Sequence, residues 1–324
     1  MRQLFRFMFH HASHLTFGAM LMAMSSFGQT YFVSLYGQDF REAFGLTDGG
    51  LGGLYAIGTV MSAITLTWAG RLIDYTTTRR FTLAVTLLLL TACLLVSGAQ
   101  AAWMLCNAGM LVAGVGVALM FLPRGKEKPL RTFRKRGEEK EKEAPVWRNR
   151  NLLLALPVVL ASPFITTGFF FHQARLAQEK GWELSWVAVW FIAYAITQAV
   201  SLLSFGPLID RLSPRRLLPW FLMPQALAML ALWLSNGQWV TPFYLIMTGV
   251  SSAIASTLAT ALWVQLFGPA QLARVRSAVE AGTVIASGAS PVIMGVLIDN
   301  HVTLHLQALF CLVYILGASL LATR

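Results

Sequence analysis

The chain has 324 residues, 56% of them hydrophobic and only 12% charged, with a mean hydropathy of +0.62. A soluble domain carries about twice that charged fraction. The charges are also clumped, leaving apolar stretches long enough to cross roughly 30 Å of hydrocarbon, which excludes a soluble enzyme, a secreted disulfide scaffold and a disordered chain. Alternation in short strand-length segments is absent, which excludes an outer-membrane barrel. The expected fold class is all-α, a polytopic helical bundle in a lipid bilayer.

The net charge of +11 and pI near 10.1 suggest nucleic acid only until the charges are placed. None lies between Phe81 and Pro123 or between Leu217 and Leu272; the basic residues sit in connectors, where topology control puts them. No nucleic-acid partner is expected. Cys93, Cys106 and Cys311 fall inside apolar segments and read as small buried residues with no paired framework, and His10, His11 and His14 have no partner at metal-ligand spacing.

Ten spans are expected in chain order: His14–Tyr36, Gly49–Gly70, Phe81–Gly98, Ala101–Leu122, Leu152–Gln173, Trp186–Phe205, Leu217–Leu234, Thr241–Phe267, Ala278–Leu297 and Leu304–Ala322. The basic stretch before the first reads as the flank of an uncleaved helix rather than as a signal peptide. The mixed-charge run Arg124–Arg150 divides a four-helix bundle (1–123) from a six-helix bundle (151–324), and reads as a solvated linker. With the N-terminus inside, 22 of the 25 Lys/Arg residues fall on that side, and only Arg41, Arg175 and Lys180 fall outside. Both termini and the linker are therefore expected in the cytoplasm, with acidic or neutral outer connectors carrying Asp39, Glu42, Asp48, Glu179, Glu183 and Asp299.

One pattern ends three spans: Gly70-Arg71-Leu72-Ile73-Asp74, Gly206-Pro207-Leu208-Ile209-Asp210 and Gly295-Val296-Leu297-Ile298-Asp299. The first two run into basic turns holding Arg79 and Arg80, and Arg211, Arg215 and Arg216. Glycine lets two helices approach, the Asp ends the helix, and the arginines hold the short loop inside. Repeats in both halves of a helical membrane protein point to a transporter built by duplication. These residues resemble the signature loop of the major facilitator superfamily, Gly-x-x-x-Asp-Arg-x-Gly-Arg-Arg, between family helices 2 and 3 and again between 8 and 9. Pro291 with Gly282, Gly288 and Gly295 resembles family helix 11, and Phe27-Gly28-Gln29-Thr30-Tyr31-Phe32 followed by Phe44-Gly45-Leu46-Thr47 resembles bacterial members near the monocarboxylate group. The family has twelve helices in two sets of six. The four-plus-six arrangement expected here implies the loss of family helices 4 and 5, and with helix 4 one wall of the transport cavity.

The resemblance implies that Asp74 meets the N-terminal end of the ninth span, near Arg276–Ala278, as a cytoplasmic latch; the alternative is a plain helix stop. Asp210 is the weaker counterpart, because its partner would have been family helix 5. Glu280 is the only acid within a span, and reads either as a coupling group or as an (i, i+4) partner of Arg276. His172 and Arg175 follow the Phe169–Phe171 triplet as an interfacial belt, or as a titrating group with an anion attractor. Mid-depth polar residues are Ser25, Ser26 and Gln29, then Ser162, Thr166 and Thr167, then Ser251, Ser252 and Ser256. They lie on spans matching the cavity-lining family helices 1, 7 and 10, and are either interhelical hydrogen bonds or a substrate site.

The function so implied is secondary transport of a small organic solute by alternating access. A monocarboxylate with proton coupling is the anionic version, in a bacterial inner membrane and without a cofactor. The alternative is a truncated member that inserts but transports poorly, a remnant or membrane interaction protein. The sequence carries no nucleotide-binding loop for ATP-driven transport and no cluster for a membrane enzyme.

Overall fold

A computed structural model describes residues 30–73, 83, 87, 90–91, 150–211 and 213–323. The charged linker, the span expected at Ala101–Leu122, most of that at His14–Tyr36 and nearly all of that at Phe81–Gly98 lie outside the described residues. Two compact units divide the chain: Met1–Phe32 with Ile64–Glu139, and Val33–Ala63 with Lys140–Arg324. The second holds both sites described below, with the stretch Val33–Ala63 that they draw on.

The described secondary structure is helical throughout. Two short helices, α1 (Thr30–Leu35) and α2 (Gly37–Phe44), lead to α3 (Asp48–Ile73). Gly45, at φ 62°, ends α2 in the left-handed conformation, and Asp48 opens α3 with a carboxylate at its positive pole. Then come α4 (Arg150–Phe171), α5 (Gln173–Lys180), α6 (Leu184–Arg211), α7 (Pro214–Leu217), α8 (Met223–Leu234), α9 (Val240–Asp299) and α10 (Leu304–Leu321). Thr303 caps α10 by accepting from the Leu306 N–H at 3.3 Å. The 60-residue α9 is two arms joined at Gly268, whose φ of 71° and ψ of 171° are not helical.

Among the described residues, five stretches are long and apolar enough to cross a bilayer: Leu152–Phe171, Leu184–Gly206, Val240–Gly268, Ala278–Asp299 and Leu304–Leu321. The span expected at Leu217–Leu234 takes a different form, a 12-residue α8 preceded by turns. Pro219 and Pro224 supply no N–H and disfavour helix just before them. Helical bonding nonetheless runs past the kink, with Phe221 N–H donating to Leu217 O at 3.1 Å and Ala226 N–H to Leu222 O at 2.8 Å.

The core lies where α4, α8 and both arms of α9 meet, around Leu152, Ile165, Phe169, Met229, Leu245, Leu258 and Trp263, all essentially inaccessible. Val189, Ile192, Ile196, Val200 and Leu203 recur at helical spacing on α6 and are exposed. A continuous apolar face of this kind is at home against lipid chains and would aggregate in water.

Candidate functional site

Two places in this unit gather polar side chains, and they lie toward opposite ends of the second arm of α9. The first is a cavity of about 310 Å³ between α4 and the two arms of α9. Ser162, Thr166 and Thr167 line it from α4, Ser252, Ser256 and Thr260 from the first arm, and Arg276, Glu280 and Thr283 from the second. Serine and threonine are accommodated in such apolar helices because their hydroxyls donate back to carbonyls of the previous turn. Ser256 does so to Ala253 O at 2.9 Å, and Thr260 to Ser256 O at 3.2 Å. Their oxygens keep acceptor capacity for a ligand. Thr166 is held in place by Gln225, buried on α8, whose Nε2–H donates to Thr166 Oγ1 at 3.1 Å. Arg276 Nε stands 3.9 Å from Glu280 Oε1, with both side chains more than half exposed. Contact at that length in that exposure holds neither group tightly.

Ser251 is separate from this group. It is fully buried and turned toward α8, 3.4 Å from Phe221 O and from Gln225 Oε1, and so joins helices rather than lining the cavity. One residue along a helix is a 100° turn, which puts Ser251 and Ser252 on different faces.

The second place is the far end of the same arm. The carboxylate of Asp299 accepts from the first two N–H groups of α3, from Asp48 at 3.1 Å (Oδ1) and from Gly49 at 2.9 Å (Oδ2). The Asp48 carboxylate pairs with Arg41 of α2. His172, 3% exposed, places Nε2 3.0 Å from Pro291 O and Nδ1 3.7 Å from Asp48 Oδ1. Burial lowers its pKa to about 4, so near neutral pH the ring is uncharged and donates from Nε2 to the carbonyl. Of the two readings of His172, a group titrating near neutral pH does not fit a ring whose pKa burial lowers to about 4. Gln178 Nε2–H donates to Gln38 Oε1 at 2.5 Å, a further bond from α5 to α2.

Nearby, Lys180 is not the exposed outer cation that charge counting suggests. Its ammonium is buried at the C-terminal end of α8 and donates to Leu232 O at 2.5 Å, Ser235 O at 3.1 Å and Asn236 Oδ1 at 2.7 Å. His305 Nδ1 lies 3.1 Å away and Glu179 accepts from Leu304 N–H at 2.8 Å. A cation on the negative pole of a helix, saturating carbonyls that have no other donor, is stabilising. Lys180→Met should therefore lower unfolding free energy by about 2 kcal/mol, read as a fall in melting temperature of the detergent-solubilised protein; an unchanged midpoint would show that the cap contributes nothing.

The family comparison bears directly on this arrangement of helices. The model of the Major Facilitator Superfamily matches residues 152–324, more than half of the chain and every helix around both sites from α4 onward. The chain belongs to the major facilitator superfamily. Comparison with curated proteins finds no match. Membership makes this chain a membrane transporter in general terms, in contact with lipid and concerned with small solutes; proteins of this superfamily are in general transporters rather than enzymes.

For this superfamily member, the sites expected from sequence divide as follows. Ser162, Thr166, Thr167, Ser252, Ser256 and Glu280 line one cavity. Ser25, Ser26, Gln29, Asp74, Arg79 and Arg80 lie outside the described residues. Gly70 lies in α3, and Gly206, Asp210 and Arg211 lie in α6. Arg215 and Arg216 are exposed on α7. The Asp299 contact and the Lys180 cap were missed. The signal available for Asp299 was the third Gly-x-x-x-Asp copy; for Lys180 there was none.

Proposed function

We propose that the chain is a secondary transporter moving a small organic solute by alternating access, and that the cavity between α4 and α9 forms the solute path's lining on this unit. One observation carries the proposal: polar residues picked from three separate stretches of sequence converge on a single cavity of about 310 Å³, with Arg276 as its cation. That volume suits a small metabolite. Hydroxyls surround it, and a guanidinium held only loosely by Glu280 can turn to a carboxylate with two parallel hydrogen bonds. A small carboxylate is accordingly the proposed solute class, and Glu280, released as Arg276 turns, the proposed proton carrier. On the positive-inside pattern, Arg276 faces the cytoplasm.

The test is uptake of a panel of small carboxylates and neutral analogues into liposomes holding the purified chain. Arg276→Gln is expected to cut saturable carboxylate uptake at least about tenfold, as loss of a charge-assisted bidentate pair implies, with little effect on neutral solutes. No saturable uptake of any panel member by the wild-type chain, in either orientation, would overturn the proposal in favour of a member that inserts without transporting.

A further inference from the structure

We propose that Asp299 is the anionic half of a latch closing the end of the protein remote from Arg276, and that its partner is the N-terminus of α3. Both partners belong to the same compact unit and are about 250 residues apart in sequence.

A helix presents unsatisfied N–H groups and a positive pole at its first turn. In α3 the Asp299 carboxylate takes the first two of these N–H groups, one on each oxygen. Asp299 itself ends α9, where its charge opposes the negative pole of its own helix. The carboxylate is thus disfavoured by the helix that carries it and favoured by the helix it touches. Asp299 is exposed, so separating the two helix ends exchanges these bonds for water at small cost, and the contact can be made and released.

The glycines show why the contact forms at this spacing. A side chain at Gly295 would put its Cβ 2.6 Å from Asp48 O, and one at Gly52 would put it 2.5 Å from Pro291 O. The two backbones touch there, and Asp299, one turn beyond Gly295, is set level with the α3 terminus. The Gly-x-x-x-Asp pattern therefore has a mechanical meaning: its glycine admits a neighbouring backbone, and its carboxylate takes that neighbour's first N–H groups. Arg41 on the Asp48 carboxylate keeps two acids side by side, the neutral His172 ring bonds Pro291 O, and Gln178 holds Gln38. Beneath the latch, Tyr55 of α3 lies against Phe171 with ring centroids 4.9 Å apart.

The experiment uses the full chain with Cys93, Cys106 and Cys311 replaced by serine and one cysteine introduced as Thr59→Cys, one turn below Tyr55 and packed against Gly288. A membrane-impermeant maleimide is applied to the face carrying Gln38 and Asp39. Asp299→Ala is expected to raise the labelling rate about tenfold. Asp299→Asn, which keeps one acceptor and the shape, should raise it several-fold and serves alone if the alanine variant does not accumulate. Asn300→Ala, next door and exposed, should leave the rate unchanged. Equal labelling in all variants would overturn the latch whatever uptake does. Faster labelling in Asp299→Ala with carboxylate uptake still absent would support the latch and count against the transport reading instead.

Discussion

Replacing Gly52 by alanine should destabilise the protein by about 3 kcal/mol or more, while the same replacement one residue later should not. The Cβ added at Gly52 would sit 2.5 Å from Pro291 O, 2.7 Å from Pro291 C and 2.9 Å from Val292 N. All three are backbone atoms of a packed helix, so no rotamer change relieves the overlap and α3 must move away from α9. Overpacking at a rigid contact costs about 1–3 kcal/mol and more where backbone must shift. At Gly53 no described atom lies within 4 Å of the new Cβ. There alanine gains up to about 1 kcal/mol of helix propensity. Thermal unfolding of the two variants side by side, followed by tryptophan fluorescence, gives the sign directly. Equal midpoints would mean that α3 and α9 do not pack through Gly52. The Gly52 variant should also label faster at the Thr59→Cys position, because the displaced helix carries the Asp48 and Gly49 N–H groups away from Asp299.

The five long apolar helices among the described residues were legible because their signal is collective. Hydropathy summed over twenty residues places Leu152–Phe171 or Leu304–Leu321 whatever any one residue does. The α7–α8 region read less well: a single span was expected, and two prolines make it a kinked succession of shorter pieces, since proline acts on hydrogen bonding to which hydropathy is blind. The cavity was legible residue by residue where helical spacing repeats a polar type, as Ser162 with Thr166 and Ser252 with Ser256. It failed at Ser251, whose depth is right but whose face is not.

The contact at Asp299 was illegible for another reason. Its partners are backbone N–H groups, which every residue but proline possesses, so no side chain 250 residues away marks them. Charge counting makes Asp299 one more acid in an outer connector and Lys180 one more cation there. In the structure each instead sits on the pole of a helix other than its own, Asp299 at the N-terminus of α3 and Lys180 at the C-terminus of α8. The end of the unit remote from Arg276 is thus fastened chiefly by side chains on helix ends.

Acidification should weaken that fastening through His172. The imidazole has a pKa lowered from 6.5 to about 4, first by burial and also by the Arg41 charge, with the bond to Pro291 O acting in the other direction. The groups facing it are Arg41 and Asp48 on the α2–α3 segment, Asp299 on α9 and Glu179 on α5. Because the folded pKa lies below the unfolded one, the unfolded chain binds more protons between about pH 6.5 and 4, and stability falls as pH falls through that window. Above about pH 6.5 the contribution is complete. Over the full window the loss is about 3 kcal/mol. A His172→Gln variant keeps an N–H donor for Pro291 O but cannot titrate, so its melting temperature should fall less steeply from pH 6.5 to 4.5 than that of the wild type. The carboxylates add a common background to both proteins, which the comparison removes. Parallel curves for the two would show that His172 does not control acid stability and that the weak point at low pH lies elsewhere in the protein.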